Sequence, residues 1–424
     1  MQSMRRILLI LLTGILFFSC GKNKDTHIDY KDVFIYYGSG YNNLSSALNG
    51  NISTLKRGTY IPDRKDNKAM VVYCQNTYSS SNYSTPNVSH LVWIYKSDSR
   101  IICDTLKTYP ATLNSATSEC LSTVLNDIDA KFKSESYGLL ISSHATGYLP
   151  ERYLYSEDHK NINNRPWSLG KLAYEEEEYN YPLTKTVCAY FDKSPSNSIE
   201  IEIEDFADAI PFKLEYLIFD ACLMGGIESA WALRDVCDYM IASPCEVLSM
   251  GIDYYNLIQR LFGSAYPDYN AICTDYYNLY IVQTDEYNKS ASISLYDMSK
   301  INAVKEAYST ILKENAESYL ALQERSNNKR STVQGYFYRE TYPKQYFYDI
   351  LDLARVIGAE EDQINALEIA LDNFVEFHKE TPSFFGTPLD RCSGLSVYLP
   401  RSDWKNLNES YKKLSWCQSV NALK

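Results

Sequence analysis

The sequence predicts an α/β fold: a mainly parallel sheet flanked by helices on both faces, with a more helical C-terminal region. Three observations predict it. Short apolar runs at residues 138–141 and 214–219 have the pattern of strands buried on both faces. Helix-period segments at 118–132 and 226–236 alternate with them, and such alternation implies crossover connections in a parallel sheet. A chain of 424 residues, 45% hydrophobic and 22% charged, has the length and composition to bury a sizeable core.

The first segment reads as an address. Residues 1–19 carry Arg5 and Arg6, an apolar stretch over 7–18, and Ser19 before Cys20. A basic start, a short apolar stretch and a small residue before the cut make a secretory signal, too short to span a bilayer comfortably. A cysteine directly after the small residue resembles a bacterial lipoprotein signal, in which Cys20 is lipidated and becomes the new N-terminus. Phe17 stands where leucine is more usual. An ordinary cleaved signal and an uncleaved anchor are the alternatives. Residues 20–30 are polar and read as a flexible tether. The expected localisation is therefore the cell envelope, lipid-anchored to a bacterial membrane and facing the periplasm or the surface.

Residues 31–262 carry the strand–helix alternation. Residues 33–37 form a short strand whose Gly38-Ser39-Gly40 reads as a turn, since two glycines without a third are a poor phosphate loop. Residues 70–73 and 90–95 repeat the strand pattern, and 101–109 closes a hairpin. Residues 118–132 place Leu121, Val124, Leu125, Ile128 and Phe132 on one helix face. Residues 148–197 are polar, Tyr-rich and irregular, with four consecutive acids at 175–178. A further helix and strand follow at 226–236 and 239–242. Beyond 262 helices dominate, at 301–322, 346–357 and 361–378, before a late strand at 393–399 returns to the core. His378 continues the apolar stripe of the last helix and reads as a packing histidine.

Charge and cysteine usage exclude several classes. With 41 Lys+Arg against 53 Asp+Glu the net charge is −12, which argues against a nucleic-acid partner. Ten cysteines remain besides Cys20, with no Cys-x-x-Cys pair, so a zinc ribbon and a thioredoxin motif are absent. Cys74, Cys103 and Cys188 lie in strand-like runs and read as buried, inert thiols. No His-Glu-x-x-His, Gly-x-Ser-x-Gly or Gly-x-x-x-x-Gly-Lys motif occurs, so metal, serine and nucleotide hydrolases lose their usual support.

In an open parallel sheet, ligands bind beyond the C-terminal ends of the strands. Two such ends here carry reactive groups, His144 after 138–141 and Cys222 after 214–219. A thiolate is a strong nucleophile and imidazole titrates near neutral pH, so the pair has the chemistry for acyl transfer. Among the five histidines, His27 falls in the tether and His159 in the polar loop, which leaves His144 the best-placed base. Histidine precedes cysteine, the reverse of the papain order.

Ser143-His144-Ala145-Thr146-Gly147-Tyr148 resembles the His-Gly-x-Gly-[Trp/Tyr] motif of clostripain-type cysteine peptidases. Phe219-Asp220-Ala221-Cys222-Leu223-Met224-Gly225 is similar to their nucleophile motif, continuing through Glu228, Ala230, Asp238-Tyr239 and Ala242-Ser243-Pro244. Asn42-Asn43-Leu44 and Gly394-Leu395-Ser396-Val397-Tyr398 extend the likeness. The resemblance implies a caspase-like fold, with a catalytic domain over 31–262 and the C-terminal region over 263–424. It also implies a His144/Cys222 dyad and an oxyanion hole from the backbone N–H groups of Ala145 and Cys222. Asp220 would lie in the pocket for the residue before the cut, where a carboxylate selects Arg or Lys. Glu246 or Asp253 is a candidate second acid. The family usually has glycine where Ala145 stands, and alanine does not easily adopt positive φ, so a distorted hole is expected if the site requires it.

The resulting expectation is an exported, membrane-anchored cysteine endopeptidase cutting peptide or protein substrates after Arg or Lys. The alternative is a catalytically weak or inactive binding lipoprotein on the same scaffold. No cofactor is expected. Calcium dependence and self-cleavage are raised by the resemblance alone, the latter in the polar loop with Arg152, Lys160, Arg165, Lys171, Lys185 and Lys193.

Overall fold

The structure, a computed structural model, describes residues 30–77, 87–150, 187–192, 198–324, 326–336 and 345–423. The signal segment, Cys20, the tether up to residue 29 with its His27, and His159, the 175–178 acids and the six basic residues of the polar loop lie outside the described residues, whereas the tether's last residue, Tyr30, already opens the first strand.

In chain order the elements are β1 (Tyr30–Gly40), α1 (Ser45–Leu55), β2 (Lys68–Asn76), β3 (Ser89–Ser97), β4 (Arg100–Tyr109), α2 (Ser118–Lys131) and β5 (Ser134–Ser142). After them come β6 (Val187–Phe191), β7 (Ser198–Ile201), α3 (Ile203–Asp208), β8 (Leu214–Asp220), α4 (Ile227–Leu233) and β9 (Cys237–Ala242). The remainder is α5 (Leu257–Phe262), α6 (Tyr269–Ile281), β10 (Ser292–Asp297), α7 (Ile301–Glu314), α8 (Ala316–Gln323), β11 (Phe347–Asp349), α9 (Ile350–Val356), α10 (Glu361–Phe374), β12 (Val375–Glu380), β13 (Ser383–Phe384), β14 (Thr387–Pro388), β15 (Ser396–Tyr398), α11 (Lys405–Tyr411) and α12 (Ser415–Val420).

A nine-stranded sheet in the order β12-β10-β9-β8-β5-β1-β2-β3-β4 organises the molecule. Its central five strands are parallel, and two antiparallel strands extend each edge. Side chains alternate between two buried layers. Ile35, Leu139, Ile141, Leu217 and Phe219 enter one, packed by α2, α4, α7, α9 and α10. Phe34, Tyr36, Leu140, Ile218 and Ile241 enter the other, covered by α5 and α6. Helices on both faces follow from strands that are apolar on both sides.

Several expected boundaries move. Gly38-Ser39-Gly40 completes β1 rather than turning, because pairing with β2 continues to Asn76. A Cβ at Gly38 would stand 2.6 Å from the Cys74 Sγ, and one at Gly40 2.0 Å from the Asn76 Oδ1, so these glycines serve close strand approach. The helix expected over 301–322 is two helices, α7 and α8. They break at Asn315, whose side-chain amide donates to the Ile311 carbonyl at 3.0 Å. The segment expected to be helical from 346 first forms β11, and Asp349 then caps α9 by accepting from the Leu351 and Asp352 amides.

The third helix ends at Phe374, where the chain becomes β12 and pairs with β10 at the sheet edge. His378 therefore sits on a strand, its Nδ1 3.0 Å from the Ser294 Oγ and its Nε2 2.6 Å from the Glu380 Oε2. Part of the segment read as irregular forms the β6–β7 ladder. All ten cysteines from Cys74 onward are free thiols. Cys188 is buried and Cys74 partly so, its thiol pushed up to about 12 by burial, whereas Cys103 is exposed on the edge strand β4.

Candidate active site

The two reactive residues leave the sheet at equivalent steps. β5 and β8 are parallel neighbours in register Ser142↔Asp220, and the Ser143 N–H still reaches the Asp220 carbonyl at 3.4 Å. His144 and Cys222 each lie two residues past that rung, on strands roughly 4.8 Å apart. The loops beyond them touch. Gly147 has φ +60°, and a Cβ there would stand 2.5 Å from the Leu223 carbonyl oxygen. Leu223, directly after Cys222, has φ +62°, a costly conformation for a branched side chain. Bonds from the Leu223 N–H to the Cys245 carbonyl (2.9 Å) and from the Gly225 N–H to the Ser243 carbonyl (2.8 Å) fix this sharp turn.

His144 is 2% exposed. Its Nε2 lies 2.6 Å from the Asn43 Oδ1, and Phe191 stacks against the ring at 6.2 Å between centroids. An amide oxygen only accepts, so Nε2 carries the hydrogen and Nδ1 is left with the lone pair. Burial lowers the imidazole pKa from its ordinary 6.5 to about 3, so the ring is neutral around pH 7. Three segments are sewn together beneath it. Ser143 Oγ donates to the Ser39 carbonyl at 2.6 Å and accepts from the Ala189 N–H at 3.1 Å. Asn42 donates to the Ser39 and Ala189 carbonyls, and its Oδ1 accepts from the Leu44 N–H.

Cys222 is partly buried, and its Sγ accepts from the Val247 N–H at 3.2 Å. The thiol also lies 3.6 Å from the Val247 carbonyl, so both backbone groups of Val247 address the sulfur. Thiol and imidazole are thus held by separate partners in this state. Asp220 is 7% exposed and accepts from the Ser142 hydroxyl at 3.0 Å and from the Tyr254 hydroxyl. The Ile252 N–H also points at it, yet burial dominates and raises its carboxyl pKa. Gly251 (φ +65°) stands over this carboxylate; a Cβ there would be 2.8 Å from Oδ1.

Ala145 forms an isolated antiparallel bridge with Val187. The left-handed backbone in this loop falls on Gly147, and Ala145 is not among the residues with positive φ, so the alanine fits its position without strain. Of the candidate second acids, Asp253 is committed to its own turn, accepting from the Tyr255 and Asn256 amides and the Asn256 side chain. Glu246 is partly buried in the segment leading to Val247. Among the described residues no cluster of three or more His, Cys, Asp or Glu is placed to hold a metal ion.

The structure thus brings His144, Ala145, Asp220 and Cys222 to one rim. Sequence reasoning missed the contact of Asn43 with the imidazole, of Val247 with the thiol and of Tyr254 with Asp220. The polar pair Asn42-Asn43 after an apolar strand was the one available signal, and nothing local tied it to a histidine 101 positions away.

Comparison with known proteins agrees with this architecture. The sequence model of the clostripain family matches residues 166–420, a span that includes Asp220 and Cys222 and begins after His144. Among solved structures, the inactive zymogen of a C11 protease from Parabacteroides distasonis is 24% identical with a TM-score of 0.70, over 92% of this chain and 97% of that one. A secreted C11 cysteine protease from Bacteroides thetaiotaomicron, in complex with an irreversible peptide inhibitor, is 19% identical with a TM-score of 0.69, over 93% and 99%. A further structure of a secreted C11 cysteine protease from that organism, called iotapain, is 20% identical at a TM-score of 0.69, over 92% and 99%. At these identities the likeness establishes a shared fold. No curated protein matches the chain.

Proposed function

The chain belongs to the clostripain family of cysteine proteases, and from that premise we propose that it is an exported endopeptidase in which His144 and Cys222 form the catalytic dyad and Asp220 selects Arg or Lys before the cut. The carrying observation is the Ser142↔Asp220 register, which puts imidazole and sulfur at matching steps beyond adjacent parallel strands.

Cys222 loses its proton to Nδ1 of His144, and the thiolate attacks the scissile carbonyl carbon. The oxyanion accepts hydrogen bonds from backbone N–H groups, assigned to Ala145 and Cys222. As the C–N bond breaks, the imidazolium returns the proton to the leaving amine. Water, deprotonated by the same ring, then hydrolyses the thioester. A guanidinium from the substrate answers the buried Asp220 carboxylate with two charge-assisted hydrogen bonds.

Cys20 is proposed as the lipid attachment site that tethers the enzyme to the envelope. No described helix is long and apolar enough to cross a membrane. Partition of the intact chain into a detergent phase, lost in Cys20→Ala, tests the anchor. A peptide panel varied at the residue before the cut, with and without a chelator, tests the rest. Cleavage after Arg and Lys that vanishes in Cys222→Ala supports the reading. Undiminished cleavage by Cys222→Ala, or no preference for basic residues, rejects it.

A further inference from the structure

We propose that Asn43 is a positioning residue for the reaction: its side-chain oxygen fixes the tautomer and orientation of His144, so that Nδ1 faces the chemistry as a base. This rests on the dyad reading above and adds a third member to it.

The argument is geometric. The Asn43 Oδ1 is 2.6 Å from Nε2, and among the described residues no other hydrogen bond holds the ring. A neutral imidazole has two tautomers, and only the one with hydrogen on Nε2 leaves Nδ1 able to take a proton from sulfur. In water the two interconvert freely; an acceptor fixed against Nε2 in a buried site selects one. The same oxygen becomes more useful as the reaction proceeds. When Nδ1 takes the thiol proton, the ring becomes a cation in a site where burial disfavours charge. A hydrogen bond from Nε2–H to the amide oxygen then strengthens, so the contact is worth more in the transition state than before it.

The fold supplies the rigidity this role needs. Asn43 lies in the turn after β1, the strand between β5 and β2. Its neighbour Asn42 is fully buried and ties that turn to Ser39, Ala189 and Leu44 by three side-chain hydrogen bonds. The histidine loop is pinned to the same Ser39 carbonyl through Ser143. Donor and acceptor are therefore mounted on one hydrogen-bonded frame, and each asparagine has a separate duty: Asn42 builds the turn and Asn43 addresses the ring.

Two substitutions separate positioning from packing. Asn43→Ala removes the oxygen, and Asn43→Asp keeps an oxygen at the same reach while adding charge. The expected result is a fall in kcat of about ten- to a hundredfold for Asn43→Ala with KM within about twofold. Asn43→Asp retains most of the neutral-pH activity. Its carboxylate favours the imidazolium, so the acid limb of its pH–rate profile moves to higher pH. In a Cys222→Ala background, ring ¹⁵N shifts report the tautomer without turnover, the His144 signals being assigned by difference from His144→Gln. Nε2 is expected to be the protonated nitrogen with Asn43 present, and a tautomer mixture is expected in Asn43→Ala. Wild-type kcat in a folded Asn43→Ala protein overturns the inference, as does equal damage by Ala and Asp with an unmoved pH profile. A ring protonated on Nδ1 overturns it without any activity measurement. Full activity in His144→Ala overturns the dyad itself, whereas an inactive His144→Ala beside a fully active Asn43→Ala removes only the role of Asn43.

Discussion

At the scale of single residues, the site depends on buried polar groups whose partners are complete in number but unequal in kind. Asp220 has the Ser142 and Tyr254 hydroxyls and the Ile252 amide, all neutral donors. They satisfy hydrogen bonding and leave the charge uncompensated, and burial accordingly raises the carboxyl pKa. On the proposed reading a substrate cation restores the balance, and most of any preference for Arg should then reside in this one charge. Asp220→Asn keeps the shape and removes the charge. The expectation is a loss of about a hundredfold or more in kcat/KM for an Arg substrate, with less than tenfold change for the neutral isostere citrulline. An equal loss for both substrates would mean that Asp220 supports the loop and does not read the side chain. The sequence exposed this residue, with His144 and Cys222, because strand-end chemistry leaves a local pattern of apolar run followed by reactive group. Asn43 escaped because its partner lies across β1 and β5, and a tertiary contact of that kind has no local signature. The left-handed backbone of this loop falls on Gly147, which matches the motif's second glycine, and Ala145 keeps a backbone conformation open to any residue.

At the scale of elements, α4 shows how the helix behind the Cys222 turn is fixed. Glu228 in its first turn is 2% exposed; its Oε1 accepts from the Tyr398 N–H and the Tyr411 hydroxyl, each at 2.8 Å, and joins α4 to β15 and α11. Among the described residues its Oε2 is buried with no hydrogen-bond partner from another residue. Burial raises the carboxyl pKa from 4.5 to about 7. The folded protein therefore holds this proton more tightly than the unfolded chain does. The stability it contributes is whole below pH 4.5 and disappears as pH rises through about 7, a span worth about 3 kcal/mol. Glu228→Gln keeps the Oε1 acceptor and cannot ionise. Urea unfolding at pH 5 should find the two proteins similar, and at pH 8 the variant should be more stable by up to about 3 kcal/mol. A gap that is constant from pH 5 to 8 would refute the ionisation account. Elements fully inside the sheet were legible, since β5 and β8 are apolar on both faces. Edge elements were not: the turns through β11 and β12 carry apolar spacings that also suit a helix, and pairing with β15 and β10 decides the outcome.

At the scale of the molecule, the sheet is completed by strands from far along the chain. β10 and β12, both after residue 262, extend the sheet beyond β9. Tyr239–Ala242 pairs with β10 residue by residue, and Ile293, Leu295, Tyr276 and Tyr280 fill the layer under the central strands. The late segment also reaches the site. The Tyr280 hydroxyl donates to the Gly251 carbonyl at 2.9 Å, and Gly251 is the residue that stands over Asp220. On the opposite face Trp416 of α12 packs edge-on against Trp231 of α4, the helix that follows the Cys222 turn. A protein ending at Phe262 would bare the β9 ladder as an unpaired edge and strip one apolar layer of α6, which is the arrangement that aggregates. Such a truncation is expected to be insoluble or to lack a cooperative thermal transition by circular dichroism, and to be inactive on Arg peptides. A soluble, cooperatively melting and active 1–262 fragment would show instead that the central parallel strands and their helices suffice, and that the C-terminal half is an accessory to a site it does not build.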